Sequence, residues 1–102
     1  MEPKILFRTF HVLNENAKEI GRVTVAKRFE EDGALKVAFA FCSPKDKYAK
    51  KHGQLIAKGR LLNRPKKRFV TYNTSIQELK DIVSAYAEMR DIKWWKEAKA
   101  LV

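Results

Sequence analysis

Two runs of alternating residues on either side of Asp32-Gly33 constrain the fold of this chain more than any other feature. Residues 20–29 (IGRVTVAKRF) place valine and phenylalanine on one face and arginine and threonine on the other. Residues 35–42 (LKVAFAFC) place leucine, valine and phenylalanine opposite lysine, alanine and cysteine. A period of two is the repeat of a β-strand, and Asp-Gly between two such runs favours a tight hairpin. We therefore predict two antiparallel strands whose large face lies on the core and whose small face admits a helix or a ligand.

A third strand precedes this hairpin. Residues 5–13 (ILFRTFHVL) combine β-branched, aromatic and aliphatic side chains with interspersed polar ones. This composition is typical of a strand. The polar residues 14–19 (NENAKE) then form a loop. The first part of the chain is predicted to be a three-stranded antiparallel meander.

A helix is predicted after the third strand. Ser43, Pro44 and Asp46 suit its N-cap, its first position and its first turn. The apolar residues at helical spacing that predict its buried face are Tyr48, Leu55, Ile56 and Leu62, with His52 and Gly59 at compatible positions. Asn63 and Pro65 predict its end, by a C-cap and a helix breaker.

The C-terminal part is predicted to be helical as well. Residues 68–72 (RFVTY) indicate a short strand. Ser75 with Glu78 forms a capping box before a second helix. The predicted inner face of that helix comprises Ile76, Leu79, Val83 and Tyr86. The apolar phase shifts near Arg90, so a bend or break is expected there.

These elements predict one domain of the α+β class over residues 1–102, in the order β-β-β-α-(β)-α. Its three-stranded meander is followed by a basic helix and by a C-terminal helix or helical pair. The chain has no apolar run long enough to cross a bilayer, which takes roughly 18 residues. Its N-terminus lacks the layout of a signal peptide. We therefore expect a cytoplasmic protein without a membrane partner.

The positive charge of the chain is concentrated in one quarter of it. The formal net charge is +10. Residues 1–42 contribute +1 and residues 69–102 contribute 0, whereas residues 43–68 carry ten basic side chains and one acidic one, a net +9. Because this charge is local and not spread over the surface, it indicates a polyanionic partner.

We predict a phosphate-contacting surface on the first helix and the basic segment that follows it. Its members are Lys47, Lys50, Lys51, Lys58, Arg60, Arg64, Lys66, Lys67 and Arg68. Lysine and arginine neutralise phosphates and release condensed counterions. Gln54 and Asn63 are the main amides nearby, so little sequence specificity is expected. The alternative for the helix is an ordinary solvated face, although such faces usually mix both signs of charge.

Two further surfaces are weaker candidates. Arg22, Arg28 and Lys36 form a secondary basic surface if the small face of the sheet is exposed; the alternative is that the second helix or the C-terminal segment covers it. Trp94 and Trp95 are adjacent, so one is expected in the core. The other is a candidate for base stacking or for a contact in a homodimer.

The residues with catalytic side chains do not form a recognisable active-site pattern. Cys42 is interpreted as a small buried cysteine and His52 as a residue packed against the sheet, while His11 and Asp46 complete the set of candidates. The chain has no P-loop, no paired-carboxylate pattern and no metal-ligand spacing. We expect a protein that is not an enzyme and that uses neither a metal nor another cofactor.

Residues 39–61 (FAFCSPKDKYAKKHGQLIAKGRL) resemble a segment of small basic proteins encoded by phages and prophages. In those proteins a strand that ends in Cys-Ser-Pro-Lys-Asp leads into a basic helix that ends in Gly-Arg. The resemblance covers about a quarter of the chain. It implies a virus-encoded accessory protein, and it transfers no activity and no site residue.

The sequence therefore predicts a small, non-catalytic, nucleic-acid-binding protein, for DNA or RNA, with contacts mainly to the phosphate backbone. The alternative is a viral or mobile-element modulator that binds and inhibits a host protein by docking the same basic surface on an acidic one.

Overall fold

The computed structural model describes residues 4–31, 33–43, 50–63, 66–69 and 75–102. The strands are β1 Leu6–Leu13, β2 Glu19–Phe29, β3 Ala34–Cys42, β4 Lys66–Phe69 and β5 Ala100–Leu101. The helices are α1 Lys50–Asn63, α2 Ile76–Met89 and a 3₁₀ helix at Lys93–Glu97. The predicted α+β class and the order of the elements are confirmed.

The strands form one antiparallel sheet in the order β4-β3-β2-β1-β5. In the β2–β3 hairpin, Val25 lies opposite Phe39 and Val23 opposite Phe41. Gly33 has a φ of 84°, and its N–H donates to the Glu30 carbonyl. Glycine adopts this left-handed conformation without steric cost. Gly33 therefore permits the tight turn between β2 and β3.

The two helices lie on opposite faces of this sheet. The large face packs against α2 and the 3₁₀ helix, in a core that contains Phe10, Val12, Val23, Val25, Leu35, Val37, Phe39, Leu79, Val83, Ala87 and Trp95. The small face packs against α1, in a cluster of Ala26, Ala38, Ala40, Ala57 and Leu61 with Ile5, Phe7 and Ile56 beside it. The domain thus has three layers, α2 on one side of the sheet and α1 on the other.

The predicted buried face of α1 is wrong at two of its positions. Leu55 is 68% exposed and Leu62 is 55% exposed, whereas Ala57 and Leu61 are fully buried. The alanine-lined sheet lets the helix backbone approach closely, so a small residue such as Ala57 fits the contact and turns the larger leucines outward. Ile56 is partly buried, as predicted, while Tyr48 lies outside the described residues.

Of the two predicted ends of α1, only the C-terminal one can be compared with the described residues. The helix ends at Asn63, as predicted. The predicted helix start at Pro44 and Asp46 lies outside the described residues, and so does Pro65.

The predicted N-terminus of α2 is confirmed. The Ser75 side chain accepts a hydrogen bond of 3.0 Å from the backbone N–H of Glu78. Leu79 is the first buried residue of α2, so the predicted position of Ile76 on the inner face of this helix is wrong. Ile76 is 50% exposed because it begins the helix, ahead of the first residue that is buried in the core.

The expected break after α2 is also found. Arg90 caps the helix, and Asp91 follows with a φ of 51°. The Ile92 N–H donates to the Ala87 carbonyl at 3.2 Å and the Asp91 N–H to the Glu88 carbonyl at 3.1 Å. These two bonds form the Schellman arrangement. The chain then enters the 3₁₀ helix and returns to the sheet as β5. Among the described helices, none combines the length and the apolar composition needed to cross a membrane.

Candidate functional site

The side of α1 that faces away from the sheet carries a mixed basic and apolar stripe. Lys51, Leu55, Lys58 and Leu62 follow one another at intervals of four, three and four residues, and all are exposed. Residues at these intervals are neighbours on a helix surface. We call these four residues the α1 outer stripe. Lys51 and Lys58 form no ion pair with any described residue, so their charges face solvent.

Arg60 differs from these lysines because it has a structural contact. Its Nη1 donates a hydrogen bond of 2.7 Å to the backbone carbonyl of Phe39 in β3. The described pairing of β4 with β3 runs from Ala34 to Val37, and Phe39 lies two residues further along β3. The guanidinium supplies a donor to the Phe39 carbonyl and ties α1 to the sheet.

The basic segment after α1 contributes the edge strand β4. Lys66 lies opposite Val37 and Lys67 opposite Lys36 in the antiparallel ladder with β3. The backbone of Arg68 continues this ladder opposite Leu35. Lys50 lies at the start of α1, while Lys47 and Arg64 are outside the described residues. Thus β4 and α1 flank the same strand, β3.

The secondary basic surface of Arg22, Arg28 and Lys36 is covered in its middle by α1, not by α2 or the C-terminal segment. Thr24, at the centre of this face, is 1% exposed, and the neighbouring alanines pack on α1. The three basic side chains all have acidic partners. Arg22 pairs with Glu19, while the Nη2 of Arg28 and the Nζ of Lys36 lie 2.9 and 3.2 Å from Glu30 Oε1.

These ion pairs change the titration of the two carboxyl groups. Hydrogen bonds from Arg22 and then from His11 hold the pKa of Glu19 below its ordinary value. Burial acts to raise the pKa of Glu30, but hydrogen bonds from Arg28 and Lys36 outweigh it and lower that pKa. Hydrogen bonds to a carboxylate favour its charged form. Both carboxylates are thus ionised near neutral pH and offset the charge of the secondary basic surface.

The two tryptophans divide between core and rim. Trp95 is 9% exposed and its ring meets Phe41 edge-on at 5.8 Å, so it belongs to the core. Trp94 is partly buried, and a Cβ atom at Gly21 would lie 2.5 Å from its ring. The division expected from the sequence is confirmed, whereas the stacking and dimer roles stay predictions.

The candidate catalytic side chains lie in different surroundings. Cys42 is partly buried, and its Sγ lies 3.7 Å from the Ser43 carbonyl oxygen. His52 is exposed on α1, so its predicted packing against the sheet is wrong; it lies on the side of the helix turned away from the alanines. His11 contacts Glu19 at 3.1 Å. The described residues contain no group of three or more metal-ligating side chains.

A groove of about 930 Å³ lies between α1, the end of β3 and the end of α2. We call it the α1–α2 groove. Its described lining comprises Ala38, Phe39, Phe41, Leu55, Ile56, Gly59, Arg60, Asn63, Tyr86, Arg90 and Ile92. The sequence did not predict this groove because its walls come from three separate elements. The one local signal is Gly59, which is one of two glycines in the interior of α1, the other being Gly53.

No family model, no curated protein and no solved structure matches this chain.

Proposed function

We propose that the protein binds nucleic acid without catalysis, through phosphate contacts from α1 and from the basic segment of residues 64–68 that follows it. The observation that carries this proposal is the separation of charge between the two outer layers. The α1 helix has four basic side chains and no acidic one, whereas α2 has three acidic side chains and one lysine. Because the helices lie on opposite faces of the sheet, the domain has one strongly basic side.

The ion pairs of the sheet do not extend to α1. Arg22, Arg28 and Lys36 are held by Glu19 and Glu30, while Lys51 and Lys58 have no described acidic partner. Phosphates would supply the missing negative charge and release counterions on binding. Since the α1 outer stripe contains no amide, we expect little discrimination between sequences from the stripe itself.

The setting of this activity follows from the proposed partner and from the resemblance of residues 39–61 to phage-encoded proteins. We propose a virus-encoded accessory protein that acts in the cytoplasm of the host.

The test is binding to labelled single- and double-stranded DNA and RNA over a series of salt concentrations. Lys51→Glu with Lys58→Glu should weaken binding strongly and reduce the slope of log affinity against log salt by about 1.8 for duplex DNA and about 1.4 for single strands, since each phosphate contact contributes about 0.9 and about 0.7 respectively. Lys93→Glu with Lys96→Glu is the matched control, because it makes the same change of net charge on the α2 side of the sheet. If no form binds at about 50 mM salt, where phosphate contacts are strong, the proposal is wrong.

A second candidate function is a modulator that docks on an acidic surface of a host protein. The observation that favours it is the exposure of Leu55 and Leu62 between the lysines. Protein interfaces bury apolar side chains inside a polar rim. Leu62→Ser separates the two functions. It should release a protein partner captured from host lysate but leave the salt-dependent oligonucleotide binding nearly unchanged, since an aliphatic side chain neutralises no phosphate and both lysines of the stripe are kept.

A further inference from the structure

No packing contact among the described residues requires a glycine at position 59. It lies inside the α1 helix. Glycine destabilises a helix interior relative to alanine. A Cβ atom added there would meet no atom within 4 Å, so no close contact requires its absence. The residue lies on the wall of the α1–α2 groove, which a larger side chain would narrow.

The groove offers the chemistry that recognises a flat, polar-edged ring. Phe41 and Tyr86 are partly buried and pack on the core rings of Trp95 and Phe39, and their own rings stack with centroids 5.9 Å apart and planes at 11°. Asn63 is exposed, and its amide offers both donors and an acceptor. Arg60 and Arg90 are exposed on either side. Arg60 retains guanidinium N–H groups besides the one used on Phe39.

The groove is also positive and continuous with the α1 outer stripe. None of its described lining residues is acidic. Leu55 belongs to both the groove and the stripe, so a strand whose phosphates lie along Lys51 and Lys58 passes the mouth of the groove. The groove volume of about 930 Å³ is that of a small-ligand site. Such pockets span about 300–1,000 Å³.

We propose that the α1–α2 groove takes an unpaired base of single-stranded nucleic acid. The base packs on the aromatic rings, Asn63 bonds its edge, and Arg60 and Arg90 contact the adjoining phosphates. Gly59 keeps the entrance open. This inference rests on the proposed function and adds a preference for single strands, because a paired base in a duplex is held in the stack and does not enter the groove.

The experiment compares strands with and without bases. Fluorescence anisotropy is measured with oligothymidylate of about ten nucleotides, within the usual site size, and with a duplex and an abasic strand of the same length. The abasic strand keeps every phosphate. Each strand is titrated with the intact chain, with Gly59→Leu, which fills the groove wall with a good helix former, and with Gly59→Ala as its matched control. Circular dichroism establishes that both variants are folded.

We expect oligothymidylate to bind about fivefold or more tightly than the abasic strand, since the stacking of one base contributes at least this much. Gly59→Leu should abolish that difference, and Gly59→Ala should keep it. Equal binding of the two strands, with a steep salt dependence for both, overturns the base site and leaves the proposed function standing. A base preference that survives Gly59→Leu also overturns it. If neither strand binds at low salt, the proposed function and this inference fail together.

Discussion

The Arg60 guanidinium of α1 donates to the Phe39 carbonyl of β3 across 2.7 Å, although the two residues are 21 positions apart in the chain. Phe39 lies two residues beyond Val37, the last residue of β3 in the described pairing with β4. A backbone carbonyl away from water needs a hydrogen-bond donor. The contact therefore supplies a donor to this carbonyl while it fixes the helix to the sheet.

Loss of this contact should destabilise the domain. Arg60→Met removes the donor and leaves the Phe39 carbonyl without it, so we expect the free energy of unfolding to fall by about 1 kcal/mol. Arg60→Lys keeps a cationic donor and should lose less. Urea unfolding followed by circular dichroism measures both variants. Equal stabilities of all three proteins would show that water replaces the guanidinium without cost.

The neighbours Leu61 and Leu62 should respond very differently to the same truncation. Leu61 is fully buried in the alanine cluster, whereas Leu62 is 55% exposed. Leu61→Ala removes core packing and should lower the free energy of unfolding by about 2–5 kcal/mol. Leu62→Ala should change it by no more than about 0.5 kcal/mol, as is usual for a surface substitution. Thermal and urea unfolding of the pair gives the comparison. If Leu62→Ala were the more damaging variant, α1 would face the sheet with the side predicted from the sequence.

Gly21 should not accept a side chain. A Cβ atom there would lie 2.5 and 2.6 Å from Trp94 ring atoms and 2.8 Å from the Cys42 carbonyl oxygen. Gly21→Ala therefore forces the ring or the strand to move, at a cost of about 1–3 kcal/mol. The emission of Trp94 should also change. Gly59→Ala is the control, because its new methyl group meets no described atom outside the adjoining turns of α1 within 4 Å. It should stabilise α1 by up to about 1 kcal/mol.

Acid should weaken the fold through Glu19 and Glu30. The pKa of each is lowered in the folded chain from its ordinary value of 4.5. Each carboxylate therefore adds to the free energy of unfolding at any pH above that ordinary pKa. This contribution is lost as the pH falls through the lowered pKa of the folded protein. Urea midpoints measured from neutral pH down into the acid range test this. Glu19→Gln with Glu30→Gln should be less stable at neutral pH and should show a flatter acid dependence. An unchanged dependence would mean that other carboxyl groups control acid unfolding.

The candidate site was predictable only in part. The basic charge of residues 43–68 is a property of composition, and its position on α1 and β4 follows from local helix and strand signals. The outward position of Lys51 and Lys58 was predicted from those signals, whereas the exposure of Leu55 and Leu62 was not. Both helix faces carry aliphatic residues, and the choice between them depends on the alanines of the strands beneath. The ion pairs of Arg22, Arg28 and Lys36 likewise depend on neighbours that the sheet register brings together.

The sequence by itself determined the elements whose causes are local. Alternation at period two produced β2 and β3, Gly33 allowed the turn, and Ser75 capped α2, since each of these interactions spans only a few residues. Only the tertiary structure decided that the two helices lie on opposite faces of the sheet and that Leu61, not Leu62, is buried. It also assembled the α1–α2 groove. These features depend on distances between residues far apart in the chain, where close packing against a particular partner outweighs the pattern of any one segment.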